Sequence, residues 1–178
     1  YVQHIDMAAL DRTASRLSGL FTVAALPGTF VTPNRPLGHF VRLRSPTNPE
    51  DKPPTEEDMA EEYQAVLEAF TIGGDRVFDV DPRFGVITLS EIAARALSPA
   101  VNDPGTAIDI IGTTTRLLVT WGRPLSEDEA AEVTYLHVRV PALAASDVFD
   151  DSFTAIGRDG AGMIEVVIRL QKALLALA

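Results

Sequence analysis

A short run between two helical patterns holds the residues whose types could do chemistry. The run Ala-Leu-Ser-Pro-Ala-Val-Asn-Asp ends at Asp103 and is followed by Pro104. These two residues suit the N-cap and the first position of a helix, so the next backbone amides lack helical partners and could bind an anion. Nearby donors and arginines could complete such a site. The candidate ligand-binding residues are Arg76, Asp81, Arg95, Ser98, Asn102, Asp103 and Thr106.

A structural interpretation of the same corner competes with the anion site. In it, Asn102 and Asp103 satisfy the free amides themselves, as Asx residues commonly do in turns and caps, and Ser98 bridges the corner. A buried ion pair, either Arg76 with Asp81 or Arg95 with Asp103, belongs to this interpretation. The sequence favours it, predicts no catalytic residue, and favours a noncatalytic domain over an enzyme or a small-anion sensor.

Familiar catalytic and cofactor motifs are missing from the sequence. It has no Gly-rich phosphate loop ending in Lys, no Gly-x-Ser-x-Gly, no His-Glu-x-x-His and no Gly-x-Gly-x-x-Gly after a strand. The histidines His4, His39 and His137 are far apart, so a zinc site would need them to converge with a carboxylate. The aspartates of residues 147–151 lack the spacing of a calcium loop and suit a helix start instead. We therefore predict no metal and no cofactor.

Two amphipathic helices are expected to position the corner. The apolar residues before it recur at helical spacing, and those after it repeat nearly the same pattern. The first set is Leu89, Ile92, Ala93, Ala96 and Leu97, and the second is Ala107, Ile110, Ile111, Thr114 and Leu118.

The rest of the chain predicts an α+β fold: a mostly helical core of five or six helices, a small N-terminal β-hairpin module and a short later strand. Asp6 is expected to cap a first helix, residues 20–26 and 37–43 to form the hairpin, and Thr55 to open another helix. The buried face of that helix is expected to comprise Met59, Tyr63, Val66, Leu67 and Phe70.

Ser126 should open a short helix, followed by a strand in which Leu136, Val138 and Val140 alternate with polar residues. We divide the chain into residues 1–45, a Pro-rich loop at 46–55, and residues 56–178, packed as one soluble unit.

The final helix carries apolar residues on more than one face. Met163, Val166, Val167, Leu170 and Leu174 form one stripe, whereas Ile164, Ile168 and Leu175 form a second, which we place on the neighbouring face. Such a helix is either central to the core or covered by another subunit. This pattern predicts a homo-oligomer.

Charge and hydropathy limit the partners. Fifteen basic and 25 acidic residues give a net charge of −10, which disfavours nucleic acid and anionic lipid as direct partners. The two most apolar stretches are interrupted by charged residues, so we expect neither a spanning helix nor direct lipid insertion. The absence of cysteine excludes disulfides and thiolate metal sites.

Several motifs resemble one family of predicted bacterial membrane proteins, domain of unknown function 2254. The specific one is the Ala-Leu-Ser-Pro-x-x-Asn-Asp-Pro string of residues 96–104. Supporting ones are Tyr-Val-Gln-His-Ile-Asp at 1–6, Pro-Gly-x-Phe-Val at 27–31, and Asp-Arg at 75–76 leading to Asp-x-x-Phe-Gly at 81–85. The resemblance implies transmembrane helices upstream of this region and carries no established activity.

The sequence and the resemblance together predict a noncatalytic extramembrane domain of a bacterial inner-membrane protein, on the cytoplasmic side. We expect it to act in assembly or in regulation of a pore or transporter, with the upstream transmembrane helices as partners. A third possibility is a protein-interaction module that uses the hairpin and the Pro-rich loop.

Overall fold

The computed structural model describes residues 1–43, 55–126 and 133–178, which divide into two compact units. The first unit comprises Tyr1–Asp81 and Ala131–Ala142, and the second Pro82–Ala130 and Leu143–Ala178. The described residues form six helices and five strands, which confirms the α+β class. The Pro-rich loop and the helix expected after Ser126 fall largely outside the described ranges.

The first unit combines two helices with two small sheets. Its elements are β1 (Val2–Ile5), α1 (Met7–Arg16), β2 (Gly19–Val23), β3 (Gly38–Arg42), α2 (Glu56–Glu68), β4 (Phe70–Ile72) and β5 (Val138–Arg139). Strands β1 and β4 pair antiparallel, and the second sheet has the order β3-β2-β5. The expected hairpin is present as β2 and β3, whereas β5 lies parallel to β2.

Helix α1 begins as its sequence predicts. The Asp6 carboxylate accepts a hydrogen bond from the amide of Ala9 at 2.8 Å and caps the helix. Leu10 and Ala14, four residues apart, are buried on the inner face. They belong to one apolar core together with Val2, Phe21 and Val23.

The described secondary-structure elements of the second unit are all helices. It contains α3 (Pro82–Ala96), α4 (Pro104–Trp121), α5 (Ala145–Asp159) and α6 (Ile164–Leu177). Helix α3 packs against α4 and α5, and α4 packs against α6. Ala93, Ile111 and Ile156 are fully buried in its core.

Several sequence-based expectations about element bounds and burial are wrong in detail. Phe70 is buried as expected, but it belongs to β4 rather than to the preceding helix, which ends at Glu68. Ile92 is exposed, since the inner face of α3 runs through Val86, Ser90 and Ala93 instead. Met59 and Tyr63, which were expected on the buried face of α2, are exposed, and the strand expected around Leu136 and Val140 is limited to the two residues of β5.

Candidate functional site

The corner between α3 and α4 is held by hydrogen bonds among its own residues. The Ser98 hydroxyl donates to the carbonyl oxygen of Arg95 at 2.7 Å. The backbone N–H of Asn102 donates to the carbonyl oxygen of Ser98 at 2.8 Å. Asn102 has a φ of +49°, a left-handed conformation that Asn adopts more readily than most residues. The amide of Asp103 then donates to the carbonyl oxygen of Ala96 at 2.8 Å, which turns the chain toward α4.

Asp103 caps α4, with Pro104 in its first turn. Its carboxylate accepts hydrogen bonds from the Thr106 hydroxyl at 2.6 Å and from the Thr106 amide at 3.1 Å. The hydroxyl bond, followed by the amide bond, lowers the pKa of Asp103 below its ordinary value of 3.8. The Thr106 amide, one of those expected to be free for an anion, therefore bonds to a carboxylate of the chain itself.

Arg76 and Asp81 come together in the first unit. The Arg76 Nε lies 2.7 Å from the Asp81 Oδ2, and the Asp81 side chain is only 2% exposed. A buried carboxylate needs such a partner, because an unpaired charge away from water is costly. The other five candidate residues belong to the second unit: Arg95, Ser98, Asn102, Asp103 and Thr106.

Gly28, absent from the candidate list, completes the surroundings of Asp81. The chain makes a type II turn here: Pro27 precedes Gly28, whose φ is +84°, and the Thr29 amide donates to the Leu26 carbonyl oxygen at 2.9 Å. A Cβ on Gly28 would lie 1.9 Å from Asp81 Oδ2. The Pro-Gly pair signals the turn in the sequence, but nothing local signals a carboxylate 53 positions later.

Arg83 draws together the aspartates that were weighed as a cation site. Its Nε lies 2.6 Å from Asp151 Oδ2 and its Nη1 lies 3.1 Å from Asp147 Oδ2, which joins α3 to the start of α5. Within residues 1–43, 55–126 and 133–178, no group of three His, Asp or Glu side chains could hold a metal ion. The His137 Nδ1 lies 3.5 Å from the Oδ1 atom of Asp11. The same oxygen accepts a hydrogen bond from the backbone N–H of His137 at 2.8 Å.

Helix α6 has two apolar faces that point in opposite directions. Val166 and Ala173 are buried, and Leu170 and Leu177 pack on the same core. Ile164, Ile168 and Leu175 are exposed by 69%, 44% and 80%. With 3.6 residues per turn, this second face lies almost opposite the buried one rather than beside it. We call residues Ile164, Ile168, Gln171 and Leu175 the α6 outer face.

The family of predicted membrane proteins described as DUF2254 has a model that matches residues 1–176. The chain belongs to this family. Uncharacterized proteins of Mycobacterium tuberculosis and Mycobacterium bovis are 32% identical to it over 112 residues, which is 62% of this chain. That alignment covers only 20% of each relative's length, and no solved structure matches the chain. Among the described helices of this DUF2254 chain, none is both long and apolar enough to cross a membrane.

The first unit of the DUF2254 chain contains a groove of about 470 Å³ between α2 and the segment that leads into β3. Met59 and Tyr63 line one wall, and Pro36 and Phe40 line the other. Its volume falls in the range of small-molecule pockets. The two large exposed side chains of α2, Met59 and Tyr63, therefore border this groove.

Proposed function

We propose that this chain is a noncatalytic extramembrane domain that helps assemble a bacterial membrane protein by pairing with a second copy of itself. In this proposal the domain lies on the cytoplasmic side of the inner membrane, next to transmembrane helices of the same protein, and its pairing regulates a pore or transporter. Membership of a family of predicted membrane proteins supports the setting. The α6 outer face supports the pairing.

The spacing of the α6 outer face carries the proposal. Its four positions are separated by four, three and four residues, which is the repeat of helices that pack along each other. Ile164, Ile168 and Leu175 supply apolar contacts, and Gln171 is the one polar member. Single exposed apolar residues are ordinary, but a continuous stripe along one helix marks an interaction site.

Charge beside the stripe favours a second copy in antiparallel orientation. Glu165 and Lys172 lie on the same flank of the stripe, seven residues apart, and both are exposed. In an antiparallel pair that places Ile164 opposite Leu175 of the second copy, Glu165 faces Lys172 of that copy, and the pairing occurs twice by symmetry. In a parallel pair, opposite flanks of the two copies would meet, so Glu165 and Lys172 would face the uncharged flank of Val167 and Leu174 and this ion pairing would be lost.

The expected dimer is weak. Helix α6 has 14 residues, so it is about 21 Å long and offers a smaller contact than most stable dimers bury. Each copy also has a net charge of −10, which opposes association. We therefore expect a monomer–dimer equilibrium with a Kd on the order of 100 μM.

Sedimentation velocity over a range of concentrations tests the pairing. The wild-type chain should shift from monomer toward dimer as its concentration rises, and Ile168→Asp should remain monomeric because it buries a charge in the seam. Val140→Asp is the matched control, since Val140 is 47% exposed and lies outside α6. A wild-type chain that stays monomeric at millimolar concentration contradicts the proposal.

A charge exchange tests the orientation. Glu165→Lys and Lys172→Glu should each weaken the dimer, whereas the double variant should restore it because opposite charges face each other again. Circular dichroism of each variant establishes that the helices are intact. Failure of the double variant to recover dimerisation would rule out the antiparallel arrangement.

A further inference from the structure

Two arginines from neighbouring helices converge beside Gly112 on the surface of the second unit. A Cβ on Gly112 would lie 3.6 Å from an Nη2 of Arg169 on α6 and 3.7 Å from the Nη1 of Arg116 on α4. Both distances are measured from the same Cβ position, so their sum, about 7.3 Å, is the largest possible separation of the two guanidinium nitrogens. Gly112 itself offers no side chain to fill the space between them.

Neither guanidinium has a carboxylate partner among the described residues. Arg116 donates to the hydroxyl of Thr113 at 3.0 Å, which orients its side chain without neutralising it. By contrast, four other arginines lie within 3.1 Å of an Asp or Glu oxygen: Arg42, Arg76, Arg83 and Arg158. Two like charges side by side, in a chain with an excess of acidic residues, create a local demand for an anion.

We propose that Arg116 and Arg169 bind one phosphate group at Gly112. Guanidinium N–H groups reach phosphate oxygens at about 2.8 Å, and a tetrahedral phosphate presents oxygens in several directions, so it can bridge two donors set this far apart. A phosphate monoester carries nearly two negative charges at neutral pH and so matches two arginines better than a single carboxylate does. Neither arginine belongs to the α6 outer face.

The same chemistry could be presented by a soluble phosphate ester or by a phospholipid headgroup. The net charge of −10 repels an anionic bilayer, so the soluble source is favoured. Asp109 limits the affinity, because it lies on α4 one turn before Gly112 and is exposed. Its negative charge opposes an incoming anion.

Titration of the chain with inorganic phosphate, followed by nuclear magnetic resonance of the Gly112 amide, tests the site. We expect saturable shifts, a Kd roughly tenfold higher in Arg116→Gln or Arg169→Gln, and a lower Kd in Asp109→Asn. Arg12→Gln is the control for loss of one exposed arginine, and it should leave the Kd unchanged. Equal weakening by Arg12→Gln would overturn the proposal, and so would absence of saturation with phosphate together with absence of vesicle binding.

Vesicle sedimentation separates the two sources. Phosphatidylglycerol vesicles are compared with phosphatidylcholine vesicles, using the wild-type chain and the Arg116→Gln/Arg169→Gln double variant. Phosphate binding without vesicle binding supports a soluble ester as the ligand. Binding to phosphatidylglycerol that the double variant loses supports a headgroup, and failure of both probes overturns the site.

Discussion

The buried carboxylate of Asp81 shows how a single side chain depends on distant parts of the chain. Arg76 supplies the opposite charge at 2.7 Å, and Gly28 leaves the space that the carboxylate fills. The Gly28 amide also donates to the Val2 carbonyl oxygen at 2.8 Å, and the Val2 amide donates to the Thr29 carbonyl oxygen at 3.0 Å. The turn therefore ties β1 to Asp81.

Gly28→Ala should be strongly destabilising for two independent reasons. A φ of +84° strains any residue with a Cβ, and that Cβ would collide with Asp81, which Arg76 holds in place. We expect urea denaturation to show a loss of at least about 2 kcal/mol. Gly74→Ala is the control, because nothing lies within 4 Å of a Cβ there. Equal stability of the two variants would refute this account.

Among the helices and strands, the sequence predicted those features that depend on residues close together in the chain. The hairpin, the cap of α1 and the inner face of α4 at Ala107, Ile111, Thr114 and Leu118 all follow from turn residues, capping and period. Strands β1 and β4 have four and three residues, too short for alternation to be visible, and they are defined by pairing across the chain. Phe70 was therefore assigned to the preceding helix.

The contacts of the candidate site residues also divide into those between residues close in sequence and those between distant residues. The cap at Asp103 and the ion pair of Arg76 with Asp81 could be inferred from residues close in sequence. The contact of Arg83 with Asp151 joins residues 68 positions apart, and the approach of Arg116 to Arg169 depends on how α4 packs against α6. No local pattern encodes those distances.

The junction of α3 and α4 yields a prediction that separates a structural corner from a ligand site. Asn102→Ala should cost about 1 kcal/mol, because the left-handed φ of +49° disfavours alanine. Asn102→Gly should be at least as stable as the wild type, since glycine adopts that conformation freely. Thermal unfolding measures both. A ligand role would show instead as weaker anion binding in both variants, because both remove the side-chain amide of Asn102.

For the whole molecule, the two units raise the question of how far their stabilities are coupled. Each has an apolar core of its own residues, and Trp121, the single tryptophan, belongs to the second unit. Its fluorescence therefore reports on one unit, whereas far-ultraviolet circular dichroism reports on both. Two signals that move apart on mutation would show units that unfold separately.

Leu10→Ala is the variant that makes this measurement. Leu10 is 1% exposed in the core of the first unit, so its truncation should cost that unit about 3 kcal/mol. We expect the circular dichroism transition to shift to lower urea while the Trp121 fluorescence transition moves little. Ile111→Ala, in the core of the second unit, should shift the fluorescence transition together with the second unit's part of the circular dichroism signal. If Leu10→Ala moves both signals equally, the chain unfolds as one cooperative unit, and any change in the first unit would be transmitted to α4 and α6.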